Sequence, residues 1–70
     1  MISFKLKTPY IELFKLLKVV NLCDSGGMAK QLIADGQVLV DGEVETRKAC
    51  KIKAGQKVVF NNETVSVEQA

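Results

Sequence analysis

The residues best suited to chemistry lie in Asp24-Ser25-Gly26-Gly27-Met28-Ala29-Lys30. Asp24 or Ser25 can cap the start of a helix there. A helix start presents backbone N–H groups without partners and a partial positive charge, which together make a seat for an anion, phosphate above all. Gly26 and Gly27 place no Cβ atoms in the way of such a ligand. Each costs helix stability on the order of 1 kcal/mol relative to alanine. Lys30 follows Gly26 by four positions and Gly27 by three. Helical side chains lean toward the N-terminus, so its ammonium is expected to reach back over the same turn. The bland alternative is an ordinary capped helix with a solvated lysine, and Asp24 adds a negative charge that opposes an anion.

A second basic element follows in Thr46-Arg47-Lys48-Ala49-Cys50-Lys51-Ile52-Lys53. From Thr46 to Asn62 the chain carries Arg47, Lys48, Lys51, Lys53 and Lys57 and no acid, whereas Asp35, Asp41, Glu43 and Glu45 crowd the stretch before it. The net charge is only +2. Segregation of this kind still gives a locally positive field.

Other chemistries lack their residues. There is no histidine and no Cys-x-x-Cys, so neither a zinc site nor a paired nucleophile and base is indicated. Cys23 and Cys50 read as two reduced, partly buried thiols. Cys23, beside the second helix start, is the one candidate for a lowered thiol pKa. No enzyme activity, cofactor or small-molecule substrate is expected. The aromatic residues Phe4, Tyr10, Phe14 and Phe60 form no ladder with the basic ones, so no single-strand stacking platform is indicated. Phe4, Phe14 and Phe60 are assigned to the core. Tyr10 is placed near the surface, where it could touch a base.

These groups need a frame. Ile2, Phe4 and Leu6 alternate with Ser3, Lys5 and Lys7, the period of a half-buried strand. This start is not the continuous apolar stretch of a signal peptide. No run of roughly 18 apolar residues is present to cross a bilayer. A cytoplasmic location and no membrane partner are expected. Thr8-Pro9 breaks the strand and is expected to open a first helix reaching Val20, with Leu13, Leu16, Leu17 and Val20 on one stripe. The second helix shows Met28, Ala29, Leu32 and Ile33 on its apolar side, and Gly36 is placed to stop it. The remainder reads as β: Gln37–Val40 and Glu43–Thr46 about an Asp41-Gly42 turn, Lys51–Lys53, then Gln56–Phe60 and Glu63–Val67 about Asn61-Asn62. Seventy residues make one α+β domain, a helix pair on a small, mostly antiparallel sheet. Nothing in the pattern demands an obligate apolar interface, so a monomer is expected.

Set in order, these residues resemble a known family. Leu13-x-x-Leu16-Leu17-Lys18, then Ser25-Gly26-x-x-Ala29-Lys30-x-x-Ile33-x-x-Gly36-x-Val38-x-Val40-x-Gly42, then Lys51-Ile52-x-x-Gly55-x-x-Val58-x-Phe60 is similar to the S4 RNA-binding domain over about residues 11–60. Within that family the chain resembles the single-domain, YbcJ-like bacterial proteins, whose pattern Glu45-Thr46-Arg47-Lys48 and Cys50-Lys51-Ile52 also fit. The resemblance implies an αL motif that binds structured RNA, ribosomal or transfer RNA among the candidates, through the start of the second helix and its basic residues. Many S4 domains begin the first helix with Arg-Leu-Asp, where this chain has Glu12-Leu13-Phe14. They often place Arg after the serine, where it has Gly26, and an Asn-Gly turn, where it has Asp41-Gly42. The expected interface is therefore Lys18, Ser25, Gly26, Gly27, Lys30, Arg47, Lys48 and Lys51. The alternative is a protein-interaction module that keeps the S4 fold without the RNA role.

Overall fold

The computed structural model describes residues 1–70. Strand β1 (Ile2–Leu6) is followed by the short β2 (Ile11–Glu12), helices α1 (Leu13–Val19) and α2 (Gly26–Ala34), and strands β3 (Val38–Val40), β4 (Glu43–Val44), β5 (Lys51–Ile52), β6 (Lys57–Phe60) and β7 (Glu63–Gln69). The main sheet has the order β1-β7-β6-β3-β4, and β2 pairs with β5 in a separate two-stranded ribbon. Every pairing is antiparallel except β1 with β7.

The two helices stop in the same way. Asn21 (φ 64°) and Gly36 (φ 78°) take the left-handed conformation just past each end. Their N–H groups donate to Lys18 and Ile33, and the next residues, Leu22 and Gln37, donate back to Leu17 and Leu32. This double closure satisfies carbonyls that a helix end otherwise leaves bare. The hairpins β3–β4 and β6–β7 turn on Asp41-Gly42 and Asn61-Asn62, all four with positive φ. Two-residue loops need that twist to match the strands. Asp41 also makes a tertiary link, because its carboxylate accepts from the Lys57 amide and the Gln56 side chain, each at 3.0 Å. These bonds, the Gln56 one first, lower its pKa and tie the β3–β4 turn to the start of β6.

The core is one cluster in which Leu13, Leu16 and Leu17 of α1 join Ala29 and Ile33 of α2, Leu6, Val65 and Val67 of β1 and β7, and Val38, Ile52 and Val58. The expected α1 stripe is seen, with Val20 half-buried at its end. Met28 departs from the α2 stripe and is 48% exposed. The start of α1 departs further. The helix expected to open at Thr8-Pro9 opens at Leu13, its N-cap residue is Glu12, and no side chain caps it. Thr8 instead donates to the Tyr10 carbonyl. Ile11 and Glu12 are taken into β2 by pairing with Ile52 and Lys51, and the first helical amides find their acceptors in a distant loop.

Ile33 is fully buried between the helices and the sheet. Ile33→Ala is expected to cost about 2–5 kcal/mol, a large share of the stability of so small a domain. Urea denaturation measures this, and a midpoint equal to the wild type would deny that α2 is held through its buried face.

Candidate nucleic-acid interface

At the start of α2 the cap is Ser25, whose hydroxyl accepts from the Met28 amide at 3.1 Å, and Asp24 is exposed. The Ala29 amide bonds the Ser25 carbonyl. The Gly26 and Gly27 amides precede the first helical acceptor and stay open. Neither glycine has a positive φ. A methyl group at Gly26 would lie 3.7 Å from the Phe14 ring, and one at Gly27 would be 3.9 Å from Ser25 Oγ, both ordinary contacts. Backbone strain and packing thus do not demand glycine at either position.

Phe4, Phe14 and Phe60, expected in the core, are half-buried and pack against it; Phe14 also meets cations. It is half-buried at the join between the helices, with the Lys30 ammonium 4.7 Å from its ring centroid and that of Lys15 5.9 Å away. Cations at these distances are attracted by the ring's negative face. The Lys30 ammonium thus lies over a ring that itself sits beside Gly26. A second pair sits nearby, with the Lys51 ammonium 5.0 Å from the centroid of Tyr10. Aromatic and basic residues that show no periodicity along the chain are thus brought together by the fold, and Tyr10, Phe14 and Lys15 join the site.

The basic loop is placed by α1. The Leu13 amide donates to the Cys50 carbonyl at 2.9 Å and the Phe14 amide to the Lys48 carbonyl at 3.2 Å. Together with the β2–β5 pairing, these bonds hold Lys48 and Lys51 beside the start of α1. Lys18 follows Lys15 by three positions and Phe14 by four, so it shares their face of the helix.

Charge pairing divides the cations. The ion pairs are Lys5–Glu68, Lys15–Glu12 and Arg47–Glu45. Lys18, Lys30, Lys48 and Lys51 have no carboxylate within 4.0 Å, as is also true of Lys7, Lys53 and Lys57. Arg47 is held by both oxygens of Glu45, Nε to Oε2 at 2.9 Å and a terminal nitrogen to Oε1 at 3.1 Å, and its backbone amide adds a third bond. The Arg47 side-chain bond first, then its backbone bond, hold the Glu45 carboxyl down at about 2. The loop that is free of acids in sequence thus receives one from just outside it.

The cysteines are free. The lowered pKa considered for Cys23 is not found: burial first, then the charge of Asp24, push it up. Burial first, then the Glu45 charge, also raise Cys50.

Compared with known families, residues 4–68 match the S4 domain. The chain belongs to the S4 domain family. It is 54% identical over 68 residues to YbcJ of Escherichia coli (strain K12), a match covering 96% of this chain and 97% of YbcJ. The solution structure of YbcJ, described as revealing an αL motif involved in RNA-binding, superposes with a TM-score of 0.75 over 97% of this chain and 87% of that one. A Bacillus subtilis (strain 168) protein called "Probable ribosome maturation protein RlbA" is 37% identical over 51 residues, 73% of this chain and 72% of its own. The crystal structure of the 30S ribosomal protein S4e from Thermoplasma acidophilum shares the fold at 24% identity and a TM-score of 0.67, covering 83% of this chain and 31% of that one. The S4 fold and αL motif expected from the residue pattern are those found, and the S4 match extends to both ends of the main sheet.

The folded pKa of Glu45 lies below its unfolded value. The pair therefore contributes stability above the ordinary glutamate range and loses it as pH falls through about 2. The Glu45 carboxyl carbon followed by NMR should titrate at about 2, and in Arg47→Ala should return toward the ordinary range. A wild-type midpoint in the ordinary range would mean that the pair does not form in solution.

Proposed function

We propose that this chain binds structured RNA, holding the phosphate backbone between the open amides of α2 and the lysines of the 47–51 loop. One observation carries this reading: four lysines without carboxylate partners lie on α1, α2 and the loop clamped to α1, beside a helix start whose first two residues carry no side chains. A phosphate is the ligand that suits such a surface. Lys18, Lys30, Lys48 and Lys51 would supply charge, Gly26 and Gly27 close approach, and Ser25 the cap that aims their amides. Arg47 would contribute once a phosphate competes with Glu45 for its guanidinium. The A-form major groove does not admit side chains, so recognition would rest on phosphates and shape.

The description of YbcJ's αL motif supports RNA as the partner. RlbA's name favours ribosomal RNA over transfer RNA. The chain would act as a binding module rather than an enzyme, as its S4 domain match and its likeness to YbcJ support. Two free cysteines suit the reducing cytoplasm.

Binding to ribosomal RNA fragments, measured by anisotropy across a salt series, tests this. Each phosphate contact adds about 0.9 to the slope of log K against log salt on a duplex. Lys30→Ala should weaken binding and flatten the slope by about one contact. Glu45→Gln, which frees Arg47, should tighten binding and steepen the slope. Unchanged slopes in both would take Lys30 and Arg47 out of the interface. Gly27→Ala should separate fold from function: it stabilises the helix by up to about 1 kcal/mol and raises Tm by a few degrees, while weakening RNA binding severalfold. An alanine variant that binds as well as the wild type would deny the close approach.

A further inference from the structure

We propose that the groove beside Tyr10 takes one unpaired nucleobase of the bound RNA, stacked on the tyrosine ring, so that the protein prefers structured RNA carrying an extruded nucleotide. The proposal rests on the RNA-binding reading and adds a specificity element to it. Phosphate contacts alone cannot tell one helix from another, so a site built only of lysines and amides would be indiscriminate.

Tyr10 lies in the connection between β1 and β2, and the residue is 40% exposed. It lines an open groove of about 510 Å³ with Thr8, Pro9, Ile11, Glu12 and Lys15. Lys51, over the ring, lines the adjoining groove of about 440 Å³ with Arg47, Ala49, Cys50 and Lys53. The Tyr10–Lys51 pair thus bridges two grooves, one framed by an aromatic ring and Pro9, the other by cations. A nucleotide has the same division, a flat apolar base and an anionic phosphate.

The backbone that carries the ring is held. The Tyr10 carbonyl accepts from the Thr8 hydroxyl at 2.7 Å, and the next two residues are paired with β5. The backbone is therefore anchored on both sides of the ring, which keeps Tyr10 at a fixed place beside the groove. Glu12 gives the groove a hydrogen-bond acceptor. Its carboxylate is engaged by Lys15 at 3.0 Å, and a carboxylate has further lone pairs to offer. A base with N–H donors on its edge suits it, and guanine carries two side by side.

Three RNA duplexes of one sequence test the proposal: one blunt, one with a single bulged guanosine, and one with an abasic bulge that keeps the bent backbone without the base. The wild type should bind the guanosine bulge roughly tenfold to a hundredfold tighter than the abasic bulge, the range that one stacked base contributes. Tyr10→Phe should keep that difference, and Tyr10→Ala should erase it, so that the guanosine and abasic bulges bind alike. Because the side chain is exposed, neither variant should unfold the domain, and an unchanged urea midpoint verifies this. Equal binding of the guanosine and abasic bulges, with Lys30→Ala still weakening both, would overturn the base site and leave the RNA reading intact. Persistence of the difference in Tyr10→Ala would overturn the role of Tyr10. Failure of the wild type to bind any of the three would overturn this inference and the reading beneath it.

Discussion

Two backbone hydrogen bonds, Leu13 N–H to the Cys50 carbonyl and Phe14 N–H to the Lys48 carbonyl, govern the arrangement of the whole surface. A helix of seven residues with no side-chain cap has little stability of its own, since nucleation is costly and its first amides are bare. The chain supplies the missing acceptors from a loop that arrives only after α2 and two strands. The loop gains a fixed position in return. Its carbonyls are committed to α1, and its exposed side chains, Lys48 and Lys51 among them, are left beside Phe14 and Tyr10. One small set of bonds thus both starts a helix and builds half of the candidate interface.

The second helix solves the same problem differently. It caps itself through Ser25, which leaves its opening amides uncovered and near the ring of Phe14. The contrast matters for charge. On α1 the helix start is covered by backbone carbonyls and by the Glu12–Lys15 pair, whereas on α2 nothing anionic caps the start. Glu45 acts as a further divider, because it occupies Arg47 and leaves the neighbouring lysines unpaired. An S4 domain with a modest net charge of +2 can therefore present a local surface more basic than its composition suggests.

Much of this was legible in the residue order. The helix stop at Gly36, the two hairpin turns, the buried stripe of α1 and that of α2 without Met28 follow from local rules, because each is decided within a few neighbouring residues. The candidate residues at the start of α2 come from the same local rules. What sequence could not give was anything decided by partners far along the chain. Ile11 and Glu12 look helical beside Leu13 until Lys51–Ile52 claims them as strand. Phe14 looks like core until α2 packs its start against one side of the ring and leaves it under Lys30. The Arg47–Glu45 pair is the exception, a contact two residues apart that the run of basic residues hides. A signal for the first of these was available: Ile11 is β-branched, and Glu12 offers no good cap. Asp41, a departure from the usual S4 turn, has a tertiary explanation in its bonds to Gln56 and Lys57.

The central claim is that the open start of α2 and the clamped loop form a single RNA-facing surface. Amide chemical-shift mapping on addition of a bulged RNA duplex tests it most directly. The largest changes should fall together on Gly26, Gly27 and residues 48–51, with the β1–β7 pair unmoved. Changes concentrated on β1 and β7, with the Gly26 and Gly27 amides silent, would contradict it.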